Sequence, residues 1–196
     1  MNTRTLIQPF TAAILLLAAA PAMAGDVDAA MVSNTCAGCH GTNGESVGAA
    51  PVIAGMSEHY LKSAMMDYKE GTRYSTIMGR IARGYSDEEI DAMAGFFAAQ
   101  TWTPGEQEVD AELAGKGGAL HADKGCAMCH GPVGTAPSPT VPNLAGQFAE
   151  YLYYQMRDYA NPHAAIPATA MVMRPMCQNL SDEELMSLAH FYASQQ

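Results

Sequence analysis

The sequence predicts an all-α protein built from two tandem domains that are related by a pseudo-two-fold axis. Three observations lead to this prediction. Apolar side chains recur every three to four residues in several segments, which is typical of amphipathic helices. A pentapeptide of the form C-x-x-C-H begins at Cys36 and again at Cys126. The residues after each copy follow the same order, which indicates a duplicated domain.

The chain begins with the features of a secretory signal peptide. Arg4 precedes an apolar run, and Ala22 and Ala24 form an A-x-A cleavage site. We expect cleavage after Ala24 and export, which in a bacterium leads to the periplasm. A retained membrane anchor is the alternative. No second apolar stretch of membrane-spanning length follows, so the protein is predicted not to be embedded in a membrane.

The first domain is predicted at residues 25–100, and its helices follow from local patterns. A 3.6-residue apolar stripe marks a helix that Gly71 ends, and Ser86 followed by three acidic residues marks the N-cap of another. A short helix leads into Cys36, a turn and a loop with Pro51 follow the motif, and a shorter segment carries Met78. The predicted helical segments are 29–35, 58–70, 76–83 and 86–100.

The second domain is predicted at residues 110–196 and repeats this order with a drifting offset. The offset is 90 at the cysteines, 91 from Pro142 onward, and 95 at Ser181, which corresponds to Ser86. Such drift indicates insertions in loops. Residues 101–109 are rich in charge and turn formers and are predicted to be the linker. A helix over 111–121 is expected to lead into the second motif.

The C-x-x-C-H motif is the attachment site of c-type haem, in which two thiols bond to the porphyrin and the adjoining imidazole binds the iron. Two copies predict two covalent haem c groups, on Cys36 and Cys39 and on Cys126 and Cys129. His40 and His130 are the expected proximal ligands. A zinc site built from both cysteine pairs would have its four ligands already and would give neither histidine a role. A redox dithiol would require a βαβ setting, whereas the flanks here are helical.

The sixth iron ligand is predicted from the repeat, because 14 methionines make abundance uninformative. A thioether closes an electron-transfer haem and raises its reduction potential relative to a second histidine. Counting back eight residues from the capping serines gives Met78 and Met173, which we predict as the ligands. The competing methionines are Met65, Met66, Met171 and Met176; of these, Met65 fits the core stripe of its helix, where packing is the commoner role.

Other residues near the motifs have less specific expected roles. The carbonyls of Pro51 and Pro142 occupy equivalent places where they could accept a hydrogen bond from a ligating histidine, although either proline could simply stiffen its loop. Cys177 corresponds to Ala82 and is expected to be a buried free thiol, with a disulfide to another molecule or a soft-metal contact as alternatives. The unrepeated histidines are expected at the surface or in packing: His59, His121, His163 and His190.

The composition is acidic, with ten Lys and Arg against twenty Asp and Glu and a formal net charge of −10. Loss of Arg4 with the signal peptide would make the mature chain more negative still. Such a surface repels nucleic acid and anionic lipid, so nucleic acid is excluded as a partner. The charge could steer a positively charged protein partner, or it could serve solubility alone.

Three stretches resemble a known family: the segment from Ser75 to Ser86 around Met78, Leu144-Ala145-Gly146-Gln147 followed by Tyr151-Leu152, and the C-terminal Phe191–Gln196. They are similar to the dihaem cytochrome subunit of flavocytochrome c sulfide dehydrogenase, over essentially the whole mature chain. The resemblance implies two tandem class I cytochrome c domains and no catalysis in this chain. It also implies a partner flavoprotein that carries FAD and oxidises sulfide, with the haems passing its electrons to an external soluble or membrane acceptor.

Two other functions remain open on the sequence. A free-standing carrier of the cytochrome c-four family, which feeds a terminal oxidase, shares the duplicated fold and the L-A-G-Q loop. A dihaem peroxidase would require one iron left open, yet both halves offer a methionine. The chain has no G-x-G-x-x-G motif that opens a βαβ unit and no spare cysteine pair, so it could not carry the sulfide chemistry itself.

Overall fold

The computed structural model describes residues 27–48 and 50–195, and the predicted signal peptide over 1–24 lies outside the described residues. These residues form helices and loops without a strand, which confirms the all-α prediction. In the first domain the helices are α1 Ala29–Asn34, α2 Ala37–His40, α3 Glu58–Glu70, α4 Met78–Ala82 and α5 Asp87–Ala98. In the second they are α6 Ala111–Asp123, α7 Ala127–His130, α8 Ala149–Ala160, α9 Met173–Cys177 and α10 Asp182–Ala193.

Helix termini follow the predicted signals. Ser86 and Ser181 each accept a hydrogen bond from the third residue of the following helix, whose glutamate bonds back to the serine N–H. Each is therefore a complete capping box, which satisfies two backbone groups that a helix end otherwise leaves unpaired. Helix α3 ends at Gly71, which adopts the left-handed conformation that glycine permits at low cost. Helix α6 runs two residues beyond its predicted end at His121.

Each domain has its own apolar core. In the first, Ile90, Met93 and Phe97 on α5 pack against Leu61 on α3. In the second, α10 lies against both α6 and α8. The approach of α6 to α10 is so close that a Cβ atom on Gly117 would lie 2.0 Å from the carbonyl oxygen of Ser187. Glycine is therefore required at this crossing, because any side chain would push the two helices apart.

A third cluster joins the two halves through Val52, Ala54 and Phe148. Between α5 and α6, residues 101–110 form no helix, and the chain here lies against the second half: the N–H of Gly105 donates to the carbonyl of Gly146 at 2.8 Å. The domain boundaries at 100 and 110 stay predictions. None of the helices in the described part of the chain has both the length and the apolar character needed to cross a bilayer.

Candidate haem sites

Both C-x-x-C-H motifs adopt the same local structure. In each, the residues after the first cysteine form a single helical turn that ends at the histidine, α2 in the first domain and α7 in the second. The first cysteine is half-buried, the second is exposed, and the histidine is buried. Each turn would therefore hold a haem through one half-buried and one exposed thiol, with the buried histidine available to bind its iron.

Burial keeps both motif histidines neutral. It lowers the pKa of His130 to about 4, with the nearby His121 as a second cause. It also lowers the pKa of His40, although the hydrogen bond to Pro51 opposes this shift. The neutral imidazole is the form that binds a metal ion. The protein thus supplies both histidines in the protonation state that iron ligation requires.

The second motif opens into a cavity of about 290 Å³. Cys126, Cys129 and His130 line one part of its wall, and Met173 lines another. Most of the remaining lining is apolar and includes Met156, Leu188 and Tyr192. An apolar cavity with two thiols, a neutral imidazole and a thioether in its wall suits the donor set of a c-type haem. The residues present therefore fit this cofactor.

The predicted methionine ligands occupy equivalent places in the two domains. Met78 is the first residue of α4 and Met173 the first residue of α9, and both side chains are half-buried. Among the competitors in the second domain, Met171 is exposed and does not line the cavity, whereas Met176 does line it and is 37% exposed. Ligation by Met78 and Met173 stays a prediction that these positions favour.

The competing methionines of the first domain lie in its core. Met65 and Met66 pack against the buried cluster around Ile90, as the helical spacing of Met65 predicts. Cys177, the last residue of α9, is buried like Ala82 at the equivalent place in α4, which confirms the predicted buried thiol. It also lines the cavity of the second site.

The histidines of the two motifs differ in their hydrogen bonds. Nδ1 of His40 lies 2.8 Å from the carbonyl oxygen of Pro51, which is the first of the two roles that the sequence left open for this proline. Nδ1 of His130, in contrast, has no hydrogen-bond partner among the described residues, so the structure shows no such bond to the carbonyl of Pro142. The loop between motif and proline is one residue longer in the second domain, and Pro142 lies in the cavity wall.

His121 has a more specific place than the sequence indicated. It is buried, and its Nδ1 pairs with the hydroxyl of Tyr192 at 2.9 Å. Its Nε2 lies 2.9 Å from the carbonyl oxygen of Gly131, the residue after His130. His121 is thus the packing residue that was expected, and it also fixes the backbone next to a proximal ligand. Of the other three unrepeated histidines, His59 and His163 are exposed, and Nδ1 of His190 accepts a hydrogen bond from the N–H of Asp110.

Two residues at the contact between the halves were not identified from the sequence. Gln147 is fully buried and bonds through its side-chain amide to both backbone groups of Val52 in the other domain. Arg73 is buried beside α3 and also reaches across, to Gln155. The sequence feature that could have identified them is a break in the repeat. The position equivalent to Gln147 is Met56, and the position equivalent to Arg73 is Ala164.

A family model described as cytochrome c matches residues 27–100 and again residues 114–196. The chain belongs to the cytochrome c family. Its two cytochrome c domains carry two covalently bound haem c groups, at Cys36 and Cys39 and at Cys126 and Cys129. Because a bound haem iron alternates between its ferric and ferrous states, each domain holds one electron at a time. The protein is therefore a dihaem electron-transfer cytochrome.

Similar proteins share this duplicated architecture. A thiosulfate dehydrogenase electron acceptor from Stutzerimonas stutzeri is 32% identical over 169 residues, which cover 81% of this chain and 78% of that protein. Cytochrome c4 from Azotobacter vinelandii is 30% identical over 191 residues, 89% of each chain. The crystal structure of reduced cytochrome c4 from Pseudomonas stutzeri matches with a TM-score of 0.76 and 27% identity, over 86% of this chain and 99% of that one.

One further relative has a higher identity over a shorter stretch. The cytochrome subunit of sulfide dehydrogenase from Chlorobaculum tepidum is 49% identical over 67 residues. This match covers 34% of the present chain and 61% of that protein. The cytochrome fold with two domains, predicted from the repeat and from the family resemblance, is confirmed.

Proposed function

We propose that this cytochrome is the periplasmic electron-transfer subunit of a sulfide dehydrogenase. In this role it accepts electrons from a separate FAD-containing flavoprotein and passes them to an external acceptor. The observation that carries the proposal is the 49% identity over 67 residues to the cytochrome subunit of a sulfide dehydrogenase. The predicted signal peptide before residue 25 supports export, since covalent haem attachment to C-x-x-C-H also takes place outside the cytoplasm.

The proposed axial ligands are His40 and Met78 for the first haem and His130 and Met173 for the second. A neutral imidazole and a thioether would close each iron on both sides, which suits electron transfer and leaves no open position for substrate. His40 is oriented by the Pro51 carbonyl, and His130 is held by the backbone that His121 fixes. His130 and Met173 both line the cavity of the second domain, which supports this pair.

Reconstitution with the purified partner tests the proposed donor. The oxidised cytochrome is mixed anaerobically with a FAD-containing sulfide dehydrogenase flavoprotein, and reduction of its haems is followed by absorbance after addition of sulfide. We expect rapid reduction of both haems only when flavoprotein and sulfide are both present. Controls omit the flavoprotein or replace sulfide with thiosulfate. Equal reduction rates with and without the flavoprotein would contradict the proposal.

The second candidate is a free-standing carrier of the cytochrome c4 type, which the similarity to cytochrome c4 over 89% of the chain favours. Such a carrier needs no flavoprotein and delivers electrons to a terminal oxidase. The two functions are separated by isolating the protein from its native periplasm under mild conditions. A stable complex with a flavoprotein supports the first function, whereas a lone chain that a terminal oxidase oxidises rapidly supports the second.

A further inference from the structure

Arg73 is a buried cation that lies three residues beyond Glu70, the last residue of α3. Its side chain is almost fully buried, with 7% of the residue exposed. Its two Nη atoms donate to the hydroxyl of Tyr60 at 3.3 and 3.4 Å, and Nη2 also donates to Oε1 of Gln155 at 2.7 Å. The guanidinium lies over the ring of Tyr68, 4.9 Å from its centre. Its Nε is buried and has no hydrogen-bond partner.

Arg73 has no direct ion pair. Among residues 27–48 and 50–195, every ion pair involves other residues, and the hydrogen-bond acceptors around the guanidinium are neutral. Burial raises the pKa of the half-buried Asp158 and the Arg73 charge opposes this shift, so these two groups interact without forming an ion pair. Cation–π contacts with Tyr68 and Tyr60 offset only part of the cost of removing a charge from water. A buried cation with a free donor therefore indicates that an anionic group completes this site.

The cavity next to Arg73 is the one whose residues fit the second haem. Arg73, Tyr60 and Gln155 line it together with Cys126 and His130. The cation thus comes from the first domain, while the thiols and the imidazole come from the second. A haem carries two carboxylate side chains, its propionates, and these are the anions that this cavity will contain.

The tyrosines around Arg73 repeat between the domains, but the arginine does not. Tyr60 and Tyr68 on α3 correspond to Tyr151 and Tyr159 on α8, with the offset of 91 residues. The same offset places Ala164 opposite Arg73. All four tyrosines are close enough to interact with the guanidinium charge. A pseudo-symmetric aromatic cage therefore contains a single cation, and the two haems cannot be in equivalent electrostatic surroundings.

We propose that Arg73 is a positioning residue that binds a carboxylate of the second haem from across the domain interface. This contact would neutralise a negative charge near the iron of the second domain. A negative charge favours the ferric state, so its neutralisation favours the ferrous state and raises the reduction potential of that haem. The same contact makes the potential of the second haem depend on correct packing of the first domain.

Replacement of Arg73 by glutamine tests this proposal with a redox titration of the complete dihaem protein. The paramagnetically shifted haem-methyl signals in the NMR spectrum report each haem separately, and their contacts to second-domain side chains assign the second haem. In Arg73→Gln we expect the reduced-to-oxidised ratio of the second haem to fall about tenfold at a fixed potential, which equals about 59 mV. The first haem should change by less than about twofold.

Two matched variants serve as controls. Arg157→Gln removes the same charge from the exposed face of α8, where Arg157 lies near Asp182, and should leave both potentials unchanged. Arg73→Lys keeps the charge and should keep most of the potential, because the carboxylate remains neutralised. A shift confined to the first haem, an equal shift in both haems, no shift, or an equal effect of Arg157→Gln would each overturn the proposal.

Infrared spectroscopy provides a second test that does not need the glutamine variant to assemble. In redox difference spectra, the carboxylate band of the second haem should shift in Arg73→Lys relative to the wild-type protein. The reason is that a lysine ammonium cannot reproduce the two-pronged contact of a guanidinium. The band should stay in place in Arg157→Gln. An unshifted band in Arg73→Lys would show that Arg73 does not contact the carboxylate.

Discussion

Replacement of Gln147 by leucine should weaken the contact between the two cytochrome domains. The side-chain amide of Gln147 accepts from the N–H of Val52 at 3.0 Å and donates to its carbonyl oxygen at 2.9 Å. Gln147 is fully buried, and so is Val52, so water cannot replace these bonds. The same side-chain oxygen also accepts from the buried N–H of Phe148 at 3.0 Å. Leucine has a similar volume but leaves two buried donors and one buried acceptor unpaired.

Each of the three backbone groups left unpaired costs about 1–3 kcal/mol, so Gln147→Leu should lower the free energy of unfolding by about 3–9 kcal/mol. This is a large share of the stability of an ordinary domain, which is about 5–15 kcal/mol. Guanidinium denaturation of the haem-loaded protein, followed by far-ultraviolet circular dichroism and by the haem absorbance, measures the change.

Gln100→Leu is the matched control for this measurement. Gln100 lies just after α5 and makes one side-chain hydrogen bond, to the carbonyl of Phe96 in that helix at 2.8 Å, and it is only partly buried. Its replacement should cost no more than about 1 kcal/mol. A cost below about 1 kcal/mol for Gln147→Leu, or an equal cost for both variants, would refute the role of Gln147 in joining the domains.

Three further predictions concern single residues. Met78→Ala should remove about half of the weak methionine-to-iron absorption band at the red end of the oxidised spectrum, whereas Met65→Ala should leave the band unchanged. An unchanged band in Met78→Ala would mean that another residue is the ligand. Gly117→Ala should lower the free energy of unfolding, measured by thermal denaturation, by about 3 kcal/mol or more, because the new Cβ meets the backbone of α10. Gly115 on the same helix faces open space, so Gly115→Ala should leave this free energy unchanged or raise it by up to about 1 kcal/mol. Burial raises the pKa of Cys177 to about 12, so its thiol stays protonated at pH 8. A disulfide reagent should therefore detect no reactive thiol in the native protein and one after denaturation, and a rapid reaction of the native protein would contradict this.

The repeat made much of the fold predictable. Helix α3 begins and ends where its apolar stripe and Gly71 predicted, and both capping boxes follow from a serine placed three residues before a glutamate. The same register placed Met78 and Met173 at the start of equivalent helices. These features are local, so a few neighbouring residues contain the information that determines them.

The contacts between domains could not be predicted in this way. Gln147 bonds to a residue 95 positions earlier, and Arg73 to one 82 positions later. Both interrupt the repeat, so comparison of the halves finds no counterpart for either. His121 was underestimated for the same reason, because its partner Tyr192 lies 71 positions away. Such polar side chains depend on the packed arrangement of the two domains, which no local pattern contains.

Near-infrared magnetic circular dichroism of the oxidised wild-type protein tests the central claim most directly. Each of the two domains is expected to carry one haem whose iron is closed by a histidine and a methionine. The spectrum distinguishes methionine ligation from ligation by two histidines and from an open iron, and its intensity counts the haems of each kind. We predict two histidine–methionine haems per chain. Intensity for only one, or for none, would contradict the account.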